Sequence, residues 1–276
     1  MTKPTWHSDD LPLAAPITGA GWLRVGLRAV PLVILVFGGL LVHMALRLPE
    51  YLLLGAKRPV TRHIAPFVSR NALRLMGVGY RVTGQPITQR GVLVANHSSW
   101  IDIFALNASQ PLIFVSKAEV SKWPGIGWLA RATGTVFIER DRRQAQAQTR
   151  VIRGRITAGD NLLFFPEGTS TDGRRILPFK STLFEAFTDM QGLQIQPVTV
   201  VYQAPDGADP RFYGWWGDMD FGAHLIQMLA TSRHGQITVI CHPPLTVADG
   251  DSRKSLALRC EQAVRRGSEG LHPGAG

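Results

Sequence analysis

Between Arg28 and Arg47 the chain runs for 18 residues, "AVPLVILVFGGLLVHMAL", without a formal charge. As an α-helix this run measures about 27 Å, close to the hydrocarbon thickness of a bilayer. It therefore crosses a membrane, sinks into one leaflet, or forms a core helix of a soluble domain. Pro31, the Gly38-Gly39 pair and His43 interrupt its apolar character. It follows a long polar lead and has no clear small-residue cleavage site, unlike a removed signal peptide. A membrane-associated helical segment with its apolar core at 29–46 is the expectation.

The charges that follow support it. From residue 51 to 90 there are seven Lys/Arg (Lys57, Arg58, Arg62, Arg70, Arg74, Arg81, Arg90) and no Asp or Glu. A block of one sign beside an apolar segment suits anionic lipid headgroups. If the segment spans, the basic side is cytoplasmic. The net charge of +10 also calls for an anionic partner. Nucleic acid would explain the charge, but no nucleic-acid-binding motif accompanies it and the apolar segment argues against it. Only Cys241 and Cys260 are present, with neither a disulfide framework nor zinc-ligand spacing, which favours a reducing compartment. A membrane protein with its catalytic part on the cytoplasmic side (the inner membrane, in a bacterium) satisfies all of these.

Beyond about residue 79, short apolar runs alternate with helical patterns. Strands are predicted at 80–84, 91–95, 112–116, 135–139, 161–165, 195–202 and 236–242. Helices are predicted near 100–109, 142–157, 181–189, 220–231 and 252–266. This alternation predicts an α/β fold, a sheet flanked by helices. Three parts are expected: 1–75 with the tail and membrane-associated segment, an α/β domain over 76–266, and a disordered polar tail at 267–276.

Several apolar runs end in residues fit for chemistry, and ligand crevices in open α/β sheets form beyond the strands' carboxyl ends. "GVLVA" leads into Asn96-His97-Ser98-Ser99, "TVFIE" into Arg140, and "NLLFF" into Pro166-Glu167-Gly168-Thr169-Ser170. His97 and Asp102 are five apart, about 140° around a helix, so they meet only if His97 lies on the turn before the helix. His97 then suits a general base, with Asp102 holding its other ring nitrogen. Ser98 and Ser99 are expected to cap the helix rather than act as nucleophiles. The attacked proton therefore belongs to a substrate hydroxyl. Arg140 suits a phosphate, Gly168 and Thr169 form an anion-binding turn, and Glu167 is placed to fix a substrate hydroxyl. Plainer readings stay open: Glu167 as a surface turn residue, Arg140 as the start of a basic helix. No spacing demands a metal.

"NHSSWIDIF", "GTVFIERDRR", "FPEGTSTDG" and "QPVTV" occur in that order and resemble the four motif blocks of the 1-acylglycerol-3-phosphate acyltransferase family, the PlsC-like lysophosphatidic acid acyltransferases. Residues 114–142, with Lys117 and Pro124-Gly125-Ile126-Gly127, are similar throughout. The resemblance covers about residues 75–205. It implies a glycerolipid acyltransferase-like mixed sheet on a membrane-associated N-terminus. It also implies His97 as base, Asp102 as its partner, and Arg140 with Glu167, Gly168 and Thr169 for the acceptor; Lys117 joins the substrate-binding set. Ser181 departs from the glycine common after the Phe-Lys of this family. "WWGDMDFGAHLIQML" resembles members that act on lyso-ornithine lipid.

The expected activity is transfer of a fatty acyl group from acyl-carrier protein or acyl-CoA to the sn-2 hydroxyl of lysophosphatidic acid, with no cofactor and no metal. Partners are membrane lipids, the lysophospholipid acceptor and the thioester donor, not nucleic acid. The alternatives are acylation of lyso-ornithine lipid and a non-catalytic membrane lipid-binding protein.

Overall fold

The computed structural model describes residues 6, 8, 11, 12, 16–55, 58–123, 125–139 and 144–269. Helix α1 covers Gly19–Leu54, 36 residues, far longer than the uncharged run. It starts where the Thr18 hydroxyl accepts the Gly21 N–H at 3.2 Å. It continues through flanking charges because each of them has a partner. Arg24 donates to Ala230 O at 2.8 Å, and Arg28 to Leu229 O at 3.0 Å and Thr231 O at 2.6 Å. Near the other end, Glu50 accepts the N–H groups of Val60 at 2.8 Å and Thr61 at 3.2 Å. The helix stops at Gly55, whose φ of +64° is ready for a glycine and costly for other residues.

Helix α2 (Ile64–Met76), which the sequence patterns missed, packs against α1. A Cβ on Gly39 would lie 2.5 Å from Val68 Cγ2, so the glycine that weakens α1 as a helix lets the two axes approach. Leu32 of α1 and Ala72, Leu73 and Met76 of α2 share one buried cluster with Leu93, Ala95 and Leu163 of the sheet. The boundary expected near residue 75 therefore falls inside a continuous core.

The sheet has eight strands: β1 (Gly79–Gly84), β2 (Gly91–Ala95), β3 (Ile113–Lys117), β4 (Val136–Ile138), β5 (Leu162–Phe164), β6 (Gln194–Gln203), β7 (Gln236–Cys241) and β8 (Leu245–Thr246). The order is β1-β7-β6-β2-β5-β3-β4, with β8 paired to β6. Strands β6, β2, β5, β3 and β4 run parallel, while β7 and β8 run antiparallel to β6. This is the mixed sheet the sequence predicts, with β8 added.

Alternation in β2 shows how the sheet joins two cores. Leu93 and Ala95 face the cluster that holds α1, α2, α3 (Asp102–Ser109) and α6 (Phe221–Ala230). Val92 and Val94 face the cluster of α5 (Ala145–Thr157) and α7 (Arg253–Glu269). Each fully buried Val or Leu of this strand contributes about 1.5–3 kcal/mol, and a strand buried on both faces reads as an unbroken apolar run.

Several expectations need correction. The helix predicted over 181–189 is a 3-10 turn at Ser181–Ala186, and a short helix α4 (Ile126–Ala132) was not foreseen. Helix α7 continues to Glu269, past the expected start of the tail at 267. Residues 270–276, Lys57, Pro124 and Arg140 lie outside the described residues. The basic block is not one free face: Arg58 pairs with Asp160, and Arg70 donates to Ala108 O at 2.7 Å, at the end of α3.

Candidate active site

Strands β2 and β5 are parallel neighbours, so the residues after Ala95 and after Phe164 emerge side by side. Asn96 prolongs the sheet pairing with its side chain, donating to Val200 O at 2.9 Å and accepting the Val200 N–H at 2.8 Å. The chain then leaves the sheet at His97 and enters α3 at Asp102.

His97 Nδ1 lies 2.7 Å from Asp102 Oδ2. The same oxygen accepts the N–H groups of Ser98 at 2.8 Å and Ser99 at 3.0 Å. The other carboxylate oxygen accepts the hydroxyl of Tyr202, at the far end of β6. Asp102 is fully buried, and a buried carboxylate is tolerated only with its lone pairs engaged. Here four donors engage it. The expected capping is thus reversed: the serine hydroxyls do not cap α3, and the acid at its first turn gathers the serine N–H groups.

An ionised Asp102 accepts from Nδ1–H, which leaves Nε2 as the unprotonated nitrogen. The imidazole stacks on Phe165 at 4.1 Å and 15°, and its side chain keeps 22% exposure. The ring is therefore held at one nitrogen and on one face, and is partly open to a reactant. Burial, and then the Asp102 charge, raise the Tyr202 hydroxyl well above its ordinary range, so it stays a donor.

Glu167 is turned into the protein, 1% exposed. One oxygen accepts the His97 N–H and the other the Leu177 N–H, both at 2.7 Å. The expected reach to a substrate hydroxyl gives way to a brace that holds the backbone of the histidine loop. Burial pushes its carboxyl up to about 8, against the pull of those two N–H groups. A second brace runs from Thr171 N–H to His97 O at 3.0 Å. Gly168 turns the chain with φ +70°, a conformation the neighbouring Thr169 would adopt only under strain. Thr169 is buried beside it. Lys117 ends β3, on the same side of the sheet, next to β5.

Sequence reasoning missed Tyr202, which sits 100 residues from Asp102. It also missed His224. His224 Nδ1 lies 2.9 Å from Trp100 Nε1, and Nε2 lies 3.2 Å from Phe212 O, so α6 anchors the loop between His97 and Asp102. Burial lowers the pKa of His224, which keeps Nδ1 available as an acceptor. Among the described residues no three His, Cys, Asp or Glu side chains group as metal ligands.

The acyltransferase family profile matches residues 79–201. The lyso-ornithine lipid O-acyltransferase of Rhodobacter capsulatus is 53% identical over 270 residues, 97% of this chain and 98% of that protein. The 1-acyl-sn-glycerol-3-phosphate acyltransferase of Neisseria gonorrhoeae is 38% identical over 206 residues, 72% of this chain and 78% of that protein. The crystal structure of the 1-acyl-sn-glycerophosphate acyltransferase PlsC from Thermotoga maritima superposes with a TM-score of 0.63 at 22% identity, covering 91% of this chain and 95% of that one, a likeness of fold. With the four motif blocks and this fold in place, the chain belongs to the PlsC-like acyltransferase family.

Proposed function

We propose that this lipid acyltransferase moves a fatty acyl group from a thioester to the hydroxyl of lyso-ornithine lipid. The observation that carries the acceptor is the 53% identity, over nearly the whole chain, to a protein of that name. The sequence puts lysophosphatidate first through its resemblance to the 1-acylglycerol-3-phosphate acyltransferases, with Arg140 and the Gly168-Thr169 turn suited to a phosphate. Lysophosphatidate remains the second reading, supported by the Neisseria gonorrhoeae relative.

The chemistry follows from the dyad. Nε2 of His97 takes the acceptor hydroxyl's proton as the oxygen attacks the thioester carbonyl. Asp102 stabilises the imidazolium that forms. Collapse expels a thiolate, a good leaving group near pKa 8.5, which recovers the proton from His97. The products are the acylated lipid and a free thiol. Nothing in this sequence of steps requires a metal or prosthetic group. A purely lipid-binding protein would leave the buried, four-fold satisfied Asp102 without a purpose.

Helix α1 presents a broad exposed apolar face, with Leu23, Leu27, Ile34, Leu41 and Leu53 all at least 66% exposed. It is long and apolar enough to cross a membrane. Yet Arg24, near its start, bonds Ala230 O, and Arg58, just past its end, pairs with Asp160; both partners belong to the α/β domain. A helix tied to one domain at both ends lies along that domain. We therefore place α1 in one leaflet, with the domain on the cytoplasmic side.

The test of the acceptor is a purified-enzyme assay with both lyso-lipids and both donors, acyl-carrier protein and CoA thioesters. Ornithine lipid formed with the higher kcat/KM supports the reading. Phosphatidate as sole product makes lysophosphatidate the acceptor.

A further inference from the structure

Trp6 and Thr169 are 163 residues apart, yet the Trp6 N–H donates to the Thr169 hydroxyl at 3.3 Å. The Trp6 indole packs against Trp216 at 5.7 Å, and Trp216 is 1% exposed. The Arg175 guanidinium lies over the Trp6 ring, 4.9 Å from its centre. Arg175 also pairs with Asp172 at 3.0 Å; Asp172 is 3% exposed and Arg175 56%. The Trp216 Nε1–H is buried with no hydrogen-bond partner among the described residues. Two backbone bonds tie this cluster to the histidine loop, Thr171 N–H to His97 O at 3.0 Å and Trp215 N–H to Ser98 O at 2.8 Å. Helix α1 starts at its own cap, Thr18, so its formation does not call for Trp6 at this place.

We propose that Trp6 forms the outer wall of the acceptor headgroup site. With Asp172 and Arg175 it selects an acceptor that carries both a carboxylate and an ammonium. This inference rests on the acceptor reading above. A guanidinium fork binds a carboxylate in two places, and an indole face beside a carboxylate attracts an ammonium. Both partners are present in the cluster and satisfy one another in this structure. An ornithine acylated on one nitrogen keeps its carboxylate and one ammonium, so it can take over both halves of the Asp172–Arg175 pair. A phosphate can engage Arg175 only, and it brings a like charge towards Asp172.

Full-length Trp6→Ala and Trp6→Phe proteins, with melting curves matched to wild type, test this. KM is measured for lyso-ornithine lipid, for lysophosphatidate and for the thioester donor. Loss of the ring should raise KM for lyso-ornithine lipid about tenfold, and for lysophosphatidate less than about threefold, with kcat and donor KM unchanged. Trp6→Phe, which keeps an aromatic face, should fall between. If wild type uses lyso-ornithine lipid and Trp6→Ala shifts its KM by less than about twofold, the wall is refuted while the acceptor reading stands. If wild type acylates only lysophosphatidate, the acceptor reading fails and takes the charge selection with it.

Discussion

Tyr202 donates its hydroxyl to Asp102 from the end of a neighbouring strand, 100 residues away in the chain. That bond occupies the one carboxylate oxygen that the histidine loop leaves unused. In Tyr202→Phe, Oδ1 of Asp102 is buried without this donor, and its charge bears more strongly on His97. The acid limb of the kcat/KM profile should move to higher pH, because the imidazolium is then better stabilised. The cost of a buried unsatisfied acceptor, about 1–3 kcal/mol, should also lower Tm. A pH–rate profile and a melting curve check the two effects. An unmoved profile would mean that Tyr202 only fills space.

Glu167→Gln separates bracing from substrate contact. A carboxyl, even when protonated, can accept at both oxygens, whereas the amide turns an NH2 towards one of the two N–H groups, so either His97 N–H or Leu177 N–H loses its partner. The expected result is a kcat about 10- to 100-fold lower with acceptor KM nearly unchanged. A rise in acceptor KM at constant kcat would assign Glu167 to the substrate after all.

The same residue predicts a pH dependence. Because its folded value is raised to about 8, the folded state holds a proton that the unfolded chain releases near 4.5. Its stabilisation is full below 4.5 and is lost as pH rises through 8. Glu167→Gln should flatten that part of the Tm-against-pH curve. The opposite slope would show that the two N–H groups outweigh burial.

His234 works in the other direction. Burial and the Arg28 guanidinium, 3.5 Å from its Nε2, lower it to about 4. The stability it contributes is present above the ordinary 6.5 and is lost as pH falls through 4. Protonation sets two like charges where α1 docks on the end of α6. Thermal melts in detergent from pH 7 to 4 should show the loss, and His234→Gln should reduce it.

Gly39→Ala should cost about 1–3 kcal/mol by forcing α1 from α2 at Val68. Adding Val68→Ala removes the obstructing methyl groups. The double variant should regain most of the loss, since alanine is the better helix former by about 1 kcal/mol. Chemical denaturation of the four proteins of this cycle measures the coupling.

What the sequence made legible was local. The apolar runs that lead into His97 and Glu167 are parallel strands with their polar residues at the carboxyl end, as the pattern suggests, while their being neighbours comes from the sheet order. The His97–Asp102 contact follows from a strand–turn–helix junction, and the structure has that junction. What stayed hidden depends on partners far along the chain. Tyr202 looks like any strand residue until β6 is seen beside β2. Arg24, Arg28 and Glu50 look like helix ends until their carbonyl and N–H partners are known. Gly39 reads as a weakness in isolation and as a close approach once Val68 is present. Helix α4 is too short, at seven residues, to show a period.

The central claim is that His97 removes the proton from the acceptor hydroxyl of lyso-ornithine lipid. Steady-state acyl transfer to that lipid by wild type and His97→Ala, under saturating donor, tests it most directly. The account predicts a kcat about 10²- to 10⁴-fold lower in the variant, with an unchanged melting curve and unchanged binding to lipid vesicles. A folded, membrane-bound His97→Ala protein that keeps more than about a tenth of wild-type kcat would contradict it.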